Sequence, residues 1–257
     1  MNIYQHFRPE EREYIDQVLN WKNSVETRYA PKLTDFLDPR EQQILKTIVG
    51  ENGDVKYSLF GGSQHSERKR ALLFPDYMAP SDEDFQITLF EISYPKKFVT
   101  IEHRQVLGTL MSLGLKRGKF GDILMNDNQV QFLAAKEVDD YIKNNLESIG
   151  RAGVKLTERA TEQAISSEEK WEETELTVSS LRLDTVISGA CNLSRQKSLS
   201  FVQAGLVKVN WTVIENSAFL CEVGDLISIR GYGRVKVIAL DGKTKKEKWR
   251  ITVGKQK

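Results

Sequence analysis

The chain reads as an α+β protein in three parts. Three observations predict this: apolar residues at helical spacing near the N-terminus, a β-α-β-β-α-β succession through the middle, and a strongly basic last third. Its 257 residues exceed one minimal domain, and 40% hydrophobic content suffices for buried cores. The expected division is a helical N-terminal domain with a β-hairpin over 1–76, a middle domain with a polar linker over 77–175, and a basic module over 176–257.

In residues 10–29, Tyr14, Ile15, Val18, Leu19 and Val25 recur mostly at helical spacing. Asp38 followed by Pro39 announces a second helix, an N-cap before proline at the first helical position, running through Ile44, Leu45, Ile48 and Val49 to Gly50. Residues 57–60 and 71–74 read as strands joined by a loop over 61–70. Strands are expected at 85–94, 122–125, 130–135 and 154–156, with helices at 103–113 and 137–149. The second of these helices should place Val138, Tyr141, Ile142, Leu146 and Ile149 on one side. This order is that of a ferredoxin-like sandwich, a fold common among RNA-binding domains but shared by many functions. Residues 158–175, rich in Glu, Ser, Thr and Gln, read as a solvated linker or an exposed helix that ends in a strand.

In the last third, Leu183, Val186, Ile187 and Ala190 follow i, i+3, i+4, i+7 spacing on a short helix that Asn192 breaks. Ser194 caps a second helix over 195–204, and Gly205 supplies its left-handed end. Strands follow at 206–210, 213–214 and 226–229, with a turn at Gly224 and Asp225.

Charge separates this module from the rest. Residues 176–257 hold 14 Lys/Arg against 6 Asp/Glu, a net +8, whereas the first 175 residues hold 23 against 30, a net −7. Such asymmetry is expected where one end meets a polyanion. A membrane surface would also attract it, but no long basic amphipathic helix is present in the pattern, so nucleic acid is favoured. The start of the second helix offers free N–H groups and a positive dipole end, with Arg195 and Lys197 beside it. Arg182, Lys208, Arg230 and Arg234 lie at or near element ends around it.

No apolar run approaches the roughly 20 residues that cross a bilayer, and the first eight residues lack a secretory layout. Cys191 and Cys221 have no Cys-x-x-Cys partner, and His6, His65 and His103 share no ligand spacing. No metal or cofactor is therefore expected, and two reduced thiols suit a cytoplasmic protein. There is no Gly-x-x-x-x-Gly-Lys-Ser/Thr loop, and Gly231, Tyr232 and Gly233 make too short a run for a dinucleotide fingerprint.

Arg182-Leu183-Asp184, Leu193-Ser194-Arg195, the run Gly205 to Asn210 and Gly224-Asp225 stand in the order and spacing of the S4 domain, which this module resembles. The resemblance implies recognition of folded RNA by Arg195, Gln196, Lys197, Lys208 and Asn210, with Ser194 and the second helix facing the RNA. Ser198 and Leu199 depart from the alanine usual in that helix. The whole chain also resembles the YlmH family, through Gly61-Gly62 with Glu67-Arg68, His103-Arg104, Leu107-Gly108, Leu113-Gly114 and Gly121-Asp122-Ile123. That resemblance implies a cytoplasmic protein, here taken as a monomer, that binds the large ribosomal subunit RNA near peptidyl-tRNA. It also implies contact with tRNA, action on stalled subunits during C-terminal tailing, and an association with cell division genes.

Rival readings stand beside these. The run from Arg182 to Gly189 imitates part of a pseudouridine synthase motif, which would make Asp184 a nucleophile; a third reading is a scaffold for division proteins. Arg68, Lys69 and Arg70 form either an RNA clamp or a polar hairpin loop. Lys116, Arg117 and Lys119, beside Arg104, form a second basic loop in an otherwise acidic region, which favours an RNA contact there. The sheet of the middle domain lacks the aromatic-glycine signature of RNA recognition motifs, so Phe90 and Phe132 read as core. Lysines around 243–250 read as an RNA-contacting hairpin strand or a solvated edge.

Overall fold

Two units, Met1–Glu168 and Glu169–Lys257, make up the computed structural model, which describes residues 4, 7, 11–51, 53–166 and 171–256. In the first unit, α1 (Arg12–Arg28) buries Ile15, Val18 and Val25. Strand β1 (Lys32–Leu37) follows, then α2 (Pro39–Val49), opened by a capping box in which the Asp38 carboxylate accepts from the Glu41 N–H at 2.9 Å. Arg40 grips Glu11 through two hydrogen bonds of 2.7 and 2.9 Å, tying the start of α2 to the start of α1. Strands β2 (Val55–Phe60) and β3 (Lys69–Pro75) complete an antiparallel sheet of order β1-β3-β2. The sequence reading assigned no strand between the helices. With Asp35 in its middle, β1 carries little β signal and is fixed by pairing with β3.

The middle of the chain runs β4 (Ile87–Ser93), α3 (His103–Ser112), β5 (Phe120–Met125), β6 (Val130–Ala135), α4 (Asp139–Asn145), the short pair β7 (Ser148–Ile149) and β8 (Ala152–Gly153), then β9 (Lys155–Arg159). The main sheet is antiparallel with order β5-β6-β4-β9. Phe90, Ile92, Phe132 and Ala134 on one face meet Val106, Leu110 and Ile142 of the two helices. The opposite face is also covered: Leu89, Leu124, Leu133 and Ala135 pack with Phe36 of β1 and with Ala164 and Ile165.

Two expectations need correction here. The helix expected over 137–149 is only seven residues long, because Gly150 at φ +60° turns the chain and Ile149 pairs with Ala152. Tyr141, expected on its apolar side, is 47% exposed. The stretch 158–175 is not a free linker either. Buried Gln131 accepts from the Ile165 N–H at 2.9 Å and donates to the Gln163 carbonyl at 3.3 Å, fastening this segment to the sheet. Residues 167–170 of that stretch lie outside the described residues.

The second unit begins earlier than the expected 176. Strand β10 (Trp171–Val178) pairs along its whole length with β15 (Trp249–Gln256), so its glutamates belong to the C-terminal sheet. Between them come α5 (Leu183–Cys191), α6 (Arg195–Gln203), β11 (Val207–Val209), β12 (Thr212–Val213), β13 (Leu226–Ile229) and β14 (Gly233–Lys243). The antiparallel order is β10-β15-β14-β13-β11-β12. Val207, Val209, Ile227, Ile229, Val235 and Val237 alternate onto the face that packs against Leu183, Val186, Ile187 and Val202 of the helices. The 243–250 stretch is the tip of the β14–β15 hairpin and not a sheet edge, since β15 lies between β14 and β10.

Candidate nucleic-acid interface

Helix α5 ends where Asn192 adopts a left-handed conformation at φ 52°, and the Ser188 hydroxyl donates to the Leu193 carbonyl at 2.6 Å. This sharp exit delivers Ser194 to the start of α6, where its hydroxyl accepts from the Lys197 N–H at 3.2 Å. Arg195, Gln196 and Lys197 then form the exposed first turn of α6, with no acidic residue in it.

Asp184, 2% exposed, is the anchor beneath this turn. Arg182 donates to both of its oxygens at 3.1 and 3.2 Å, and Arg195 Nε approaches it at 3.4 Å. Burial works against the charged carboxylate, but the hydrogen bond and charge of Arg182, helped by Arg195, hold Asp184 below the usual carboxylate range. A carboxylate so enclosed by two guanidinium groups orients cations. It has no open approach for a uracil ring, which counts against the nucleophile reading.

Lys197 sits with its ammonium 5.7 Å from the centre of the Tyr232 ring, and Tyr232 meets Phe201 edge-on at 5.4 Å between centroids. Tyr232 is carried by the β13–β14 turn, where Gly231 and Gly233 both take positive φ, at 84° and 90°. In the sequence Tyr232 is weighed only against a dinucleotide fingerprint, although an aromatic residue between two glycines beside a basic run is a usable signal. Exposed Arg230 belongs to the same turn, tied by its N–H to the Leu206 carbonyl at 3.0 Å.

The other expected contacts lie elsewhere on the unit. Lys208 pairs with Ser228, and Ser228 with Arg234, so these three form one row across the sheet. Their neighbours Val207, Val209, Ile229 and Val235 point inward to the helices, so the row lies on the outer face. Asn210 is a structural hinge: at φ 47° it donates to Asp225 at 2.8 Å and accepts from the Leu226 N–H at 3.0 Å. The lysines at 243, 245, 246 and 248 gather around the tip of the β14–β15 hairpin. Across the 11 residues of β14 this tip stands about 35 Å from Tyr232, at roughly 3.3 Å per residue.

The basic residues expected to assist from the first unit are mostly engaged within it. Arg70, 3% exposed, donates to the Thr34 and Gln86 carbonyls at 2.7 and 2.9 Å and pairs with Glu137 at 3.1 Å. Arg70, expected in a basic loop that contacts RNA, lies instead inside β3 and is closed to RNA. Lys119 bridges Asp35 at 2.6 Å and Glu137 at 3.0 Å. Burial opposes the Lys119 charge, but those two carboxylates outweigh it and raise its pKa. Arg117 donates to the Phe120 carbonyl at 2.6 Å, and Arg68 to the Phe36 carbonyl at 2.8 Å. The backbone N–H groups of Glu67 and Arg68 both bind Asp122, at 2.6 and 3.1 Å. Half-buried Lys69 pairs with Leu37 across the sheet, while Arg104 is solvent-exposed beside Glu102 and Lys116 is exposed.

These contacts form a seam between the N-terminal sheet and the middle sheet. A Cβ at Gly121 would lie 2.8 Å from the Phe36 ring and 2.9 Å from Leu133 Cβ, so only glycine admits the ring there. Gly62, at φ +86°, approaches Leu133 just as closely, its Cβ position lying 2.5 Å from Leu133 Cδ2.

Among the described residues no group of three or more His, Cys, Asp or Glu could hold a metal ion, and no helix is long and apolar enough to cross a membrane. Burial pushes the thiols of Cys191 and Cys221 up, the latter to about 12, so both resist ionisation.

Two family descriptions match the chain: "YlmH, N-terminal" over residues 10–78 and "Putative RNA-binding domain in YlmH" over residues 80–163. Both fall within the first unit. A Bacillus subtilis protein named "Ribosome-associated protein quality control protein P2" is 46% identical over 256 residues, covering 100% of this chain and 99% of its own length. The solved structure "Cell division protein ylmH from Streptococcus pneumoniae" is 38% identical, with a TM-score of 0.54. It covers 64% of this chain and 100% of its own.

Proposed function

The chain belongs to the YlmH family, and on that footing we propose that it is an RNA-binding protein of ribosome-associated quality control, without catalytic activity of its own. In this reading it binds ribosomal RNA of the large subunit, contacts tRNA held there, and acts as a cytoplasmic monomer on stalled complexes. It works in three parts: a helical N-terminal domain, a ferredoxin-like middle domain and an S4 domain that starts at β10.

One observation carries the reading. Arg195 and Lys197 stand exposed on the capped first turn of α6, aimed from beneath by Asp184 and from the side by Tyr232. Free N–H groups at a helix start, a positive dipole end and two oriented cations form a phosphate-binding surface. Because the side chains are oriented before RNA arrives, less side-chain entropy is lost on binding. The outer row of Lys208 and Arg234 and the lysines near the hairpin tip would meet more distant phosphates. The name of the Bacillus subtilis relative supplies the ribosomal setting.

The test is co-sedimentation of the purified protein with isolated small and large ribosomal subunits over a salt series. Wild type should travel with the large subunit at low salt and dissociate as salt rises. The double variant Arg195→Ala, Lys197→Ala should bind more weakly and dissociate at lower salt than wild type. Association with neither subunit would defeat the reading. Protein partners that persist after nuclease treatment would replace it with the scaffold reading.

A further inference from the structure

The middle domain cannot present its sheet to RNA, since α3 and α4 cover one face and Phe36, Ala164 and Ile165 cover the other. Its basic loop at 117–119 is engaged by internal acceptors, as are Arg68 and Arg70 of the N-terminal part. An RNA contact in this domain therefore needs a rim, and the loop between β4 and α3 is such a rim.

Phe98 in that loop is 86% exposed, more than any other large apolar residue described. Lys96 and Lys97 precede it, both exposed. The loop is nonetheless held in shape. Tyr94 and Val99, at either side, pack against the core of the domain. The Pro95 carbonyl accepts from the N–H groups of Phe98 and Val99 at 3.0 and 3.3 Å, closing a turn. The Lys96 ammonium lies 5.8 Å from the centre of the Tyr94 ring and donates to the Asn128 carbonyl in the β5–β6 turn. At the same end of the sheet, Lys155 stands opposite Ser93 and is exposed. An anchored turn that projects a phenylalanine ring beside lysines suits base stacking with phosphate neutralisation.

We propose that the 94–99 loop is a second RNA contact, in which an unpaired base stacks on Phe98 while Lys97 and Lys155 meet the flanking phosphates. The ligand class is single-stranded or unstacked RNA, in contrast to the folded RNA assigned to α6. The proposal rests on the RNA-binding reading above and adds a place and a mode of contact to it.

The test uses the full chain and two fluorescent RNA probes, a single-stranded ten-nucleotide oligomer and the same oligomer with central abasic sites, read by anisotropy. Phe98→Ala should bind the intact oligomer about tenfold more weakly than wild type does, with Phe98→Trp restoring it. On the abasic oligomer wild type and Phe98→Ala should bind alike. Lys97→Ala with Lys155→Ala should flatten the salt dependence by about 1.4, near 0.7 per single-strand phosphate contact.

Equal binding of the intact oligomer by wild type and Phe98→Ala would overturn the loop assignment. If Arg195→Ala, Lys197→Ala still weakened subunit binding, the proposed function would survive that result. A wild-type dimer that Phe98→Ala converts to monomer, with RNA binding unchanged, would assign the ring to self-association and also overturn the proposal. Wild-type protein that bound neither the oligomers nor the subunits would remove both readings together.

Discussion

Arg70 in the first unit and Arg195 in the second are both arginines in runs of cations, and they meet opposite fates. Arg70 is 3% exposed and bonded to two carbonyls and a carboxylate, whereas the Arg195 side chain is 62% exposed and leans on one buried carboxylate. The difference lies in the acceptors. Thr34, Gln86 and Glu137 reach Arg70 from three distant stretches of chain, and Asp35 joins Glu137 at Lys119. In α6 the cations meet a single acid from below and solvent above. A basic run thus becomes structural where the fold surrounds it with acceptors, and remains available to a polyanion where it does not.

The largest expected effect lies on the structural side. Arg70→Ala takes the guanidinium donor from the Thr34 carbonyl, removes one of two donors to the Gln86 carbonyl and one of the two cations that Glu137 bridges. It should cost about 3–5 kcal/mol in urea unfolding of the full chain. Retention of wild-type stability would mean that the seam contributes nothing.

Asp184→Asn comes next, at about 1–3 kcal/mol, because it removes the charge shared by Arg182 and Arg195. Its pH signature separates it from a simple packing defect. Asp184 titrates below its unfolded value, near 4, so its stabilisation is fully present above that value and is lost as pH falls through the folded one. The variant should therefore lose less stability than wild type between about pH 5 and the acid limit. Parallel pH profiles for the two proteins would contradict the ion-pair assignment.

The smallest effect is expected at Ser194→Ala, about 1 kcal/mol from a lost helix cap. RNA affinity should fall with it, because the cap fixes the turn that carries Lys197. A drop in stability with no change in affinity would show that this turn need not be pre-ordered.

Much of this architecture was legible in the residues. The Asp38–Pro39 helix start, the succession of strands and helices through the middle, and the α5–Asn192–Ser194–α6 elbow all follow from local chemistry, and the structure has them within a few residues. What escaped depends on partners distant in sequence. Strand β1 is made a strand by β3, and the strand expected at the end of 158–175 finds its partner, β15, only at the other end of its unit. Gly61-Gly62 and Gly121 read as loop residues and Asp122 as the start of a strand, and all four carried part of the family resemblance. Their role is close packing: Ser66 and the Arg68 carbonyl crowd Gly61, Leu133 crowds Gly62 and Gly121, Phe36 also crowds Gly121, and Asp122 receives two backbone N–H groups. Burial raises the Asp122 pKa against the pull of those donors. The candidate RNA residues divided in the same way. The exposed position of Arg195 and Lys197 on a capped helix start follows from local residues, while the Tyr232 ring beside Lys197 and the row of Lys208, Ser228 and Arg234 depend on the sheet.

The contrast between the two cation clusters is tested most directly by the salt dependence of binding to large ribosomal subunits for two double variants. Arg195→Ala with Lys197→Ala should reduce the magnitude of the log–log salt slope by about 2, near 0.9 per phosphate contact. Arg117→Ala with Lys119→Ala should leave the slope of the folded protein unchanged, because those charges already face Asp35, Glu137 and backbone carbonyls. An equal fall in both variants, or a fall only in the second, would contradict the account.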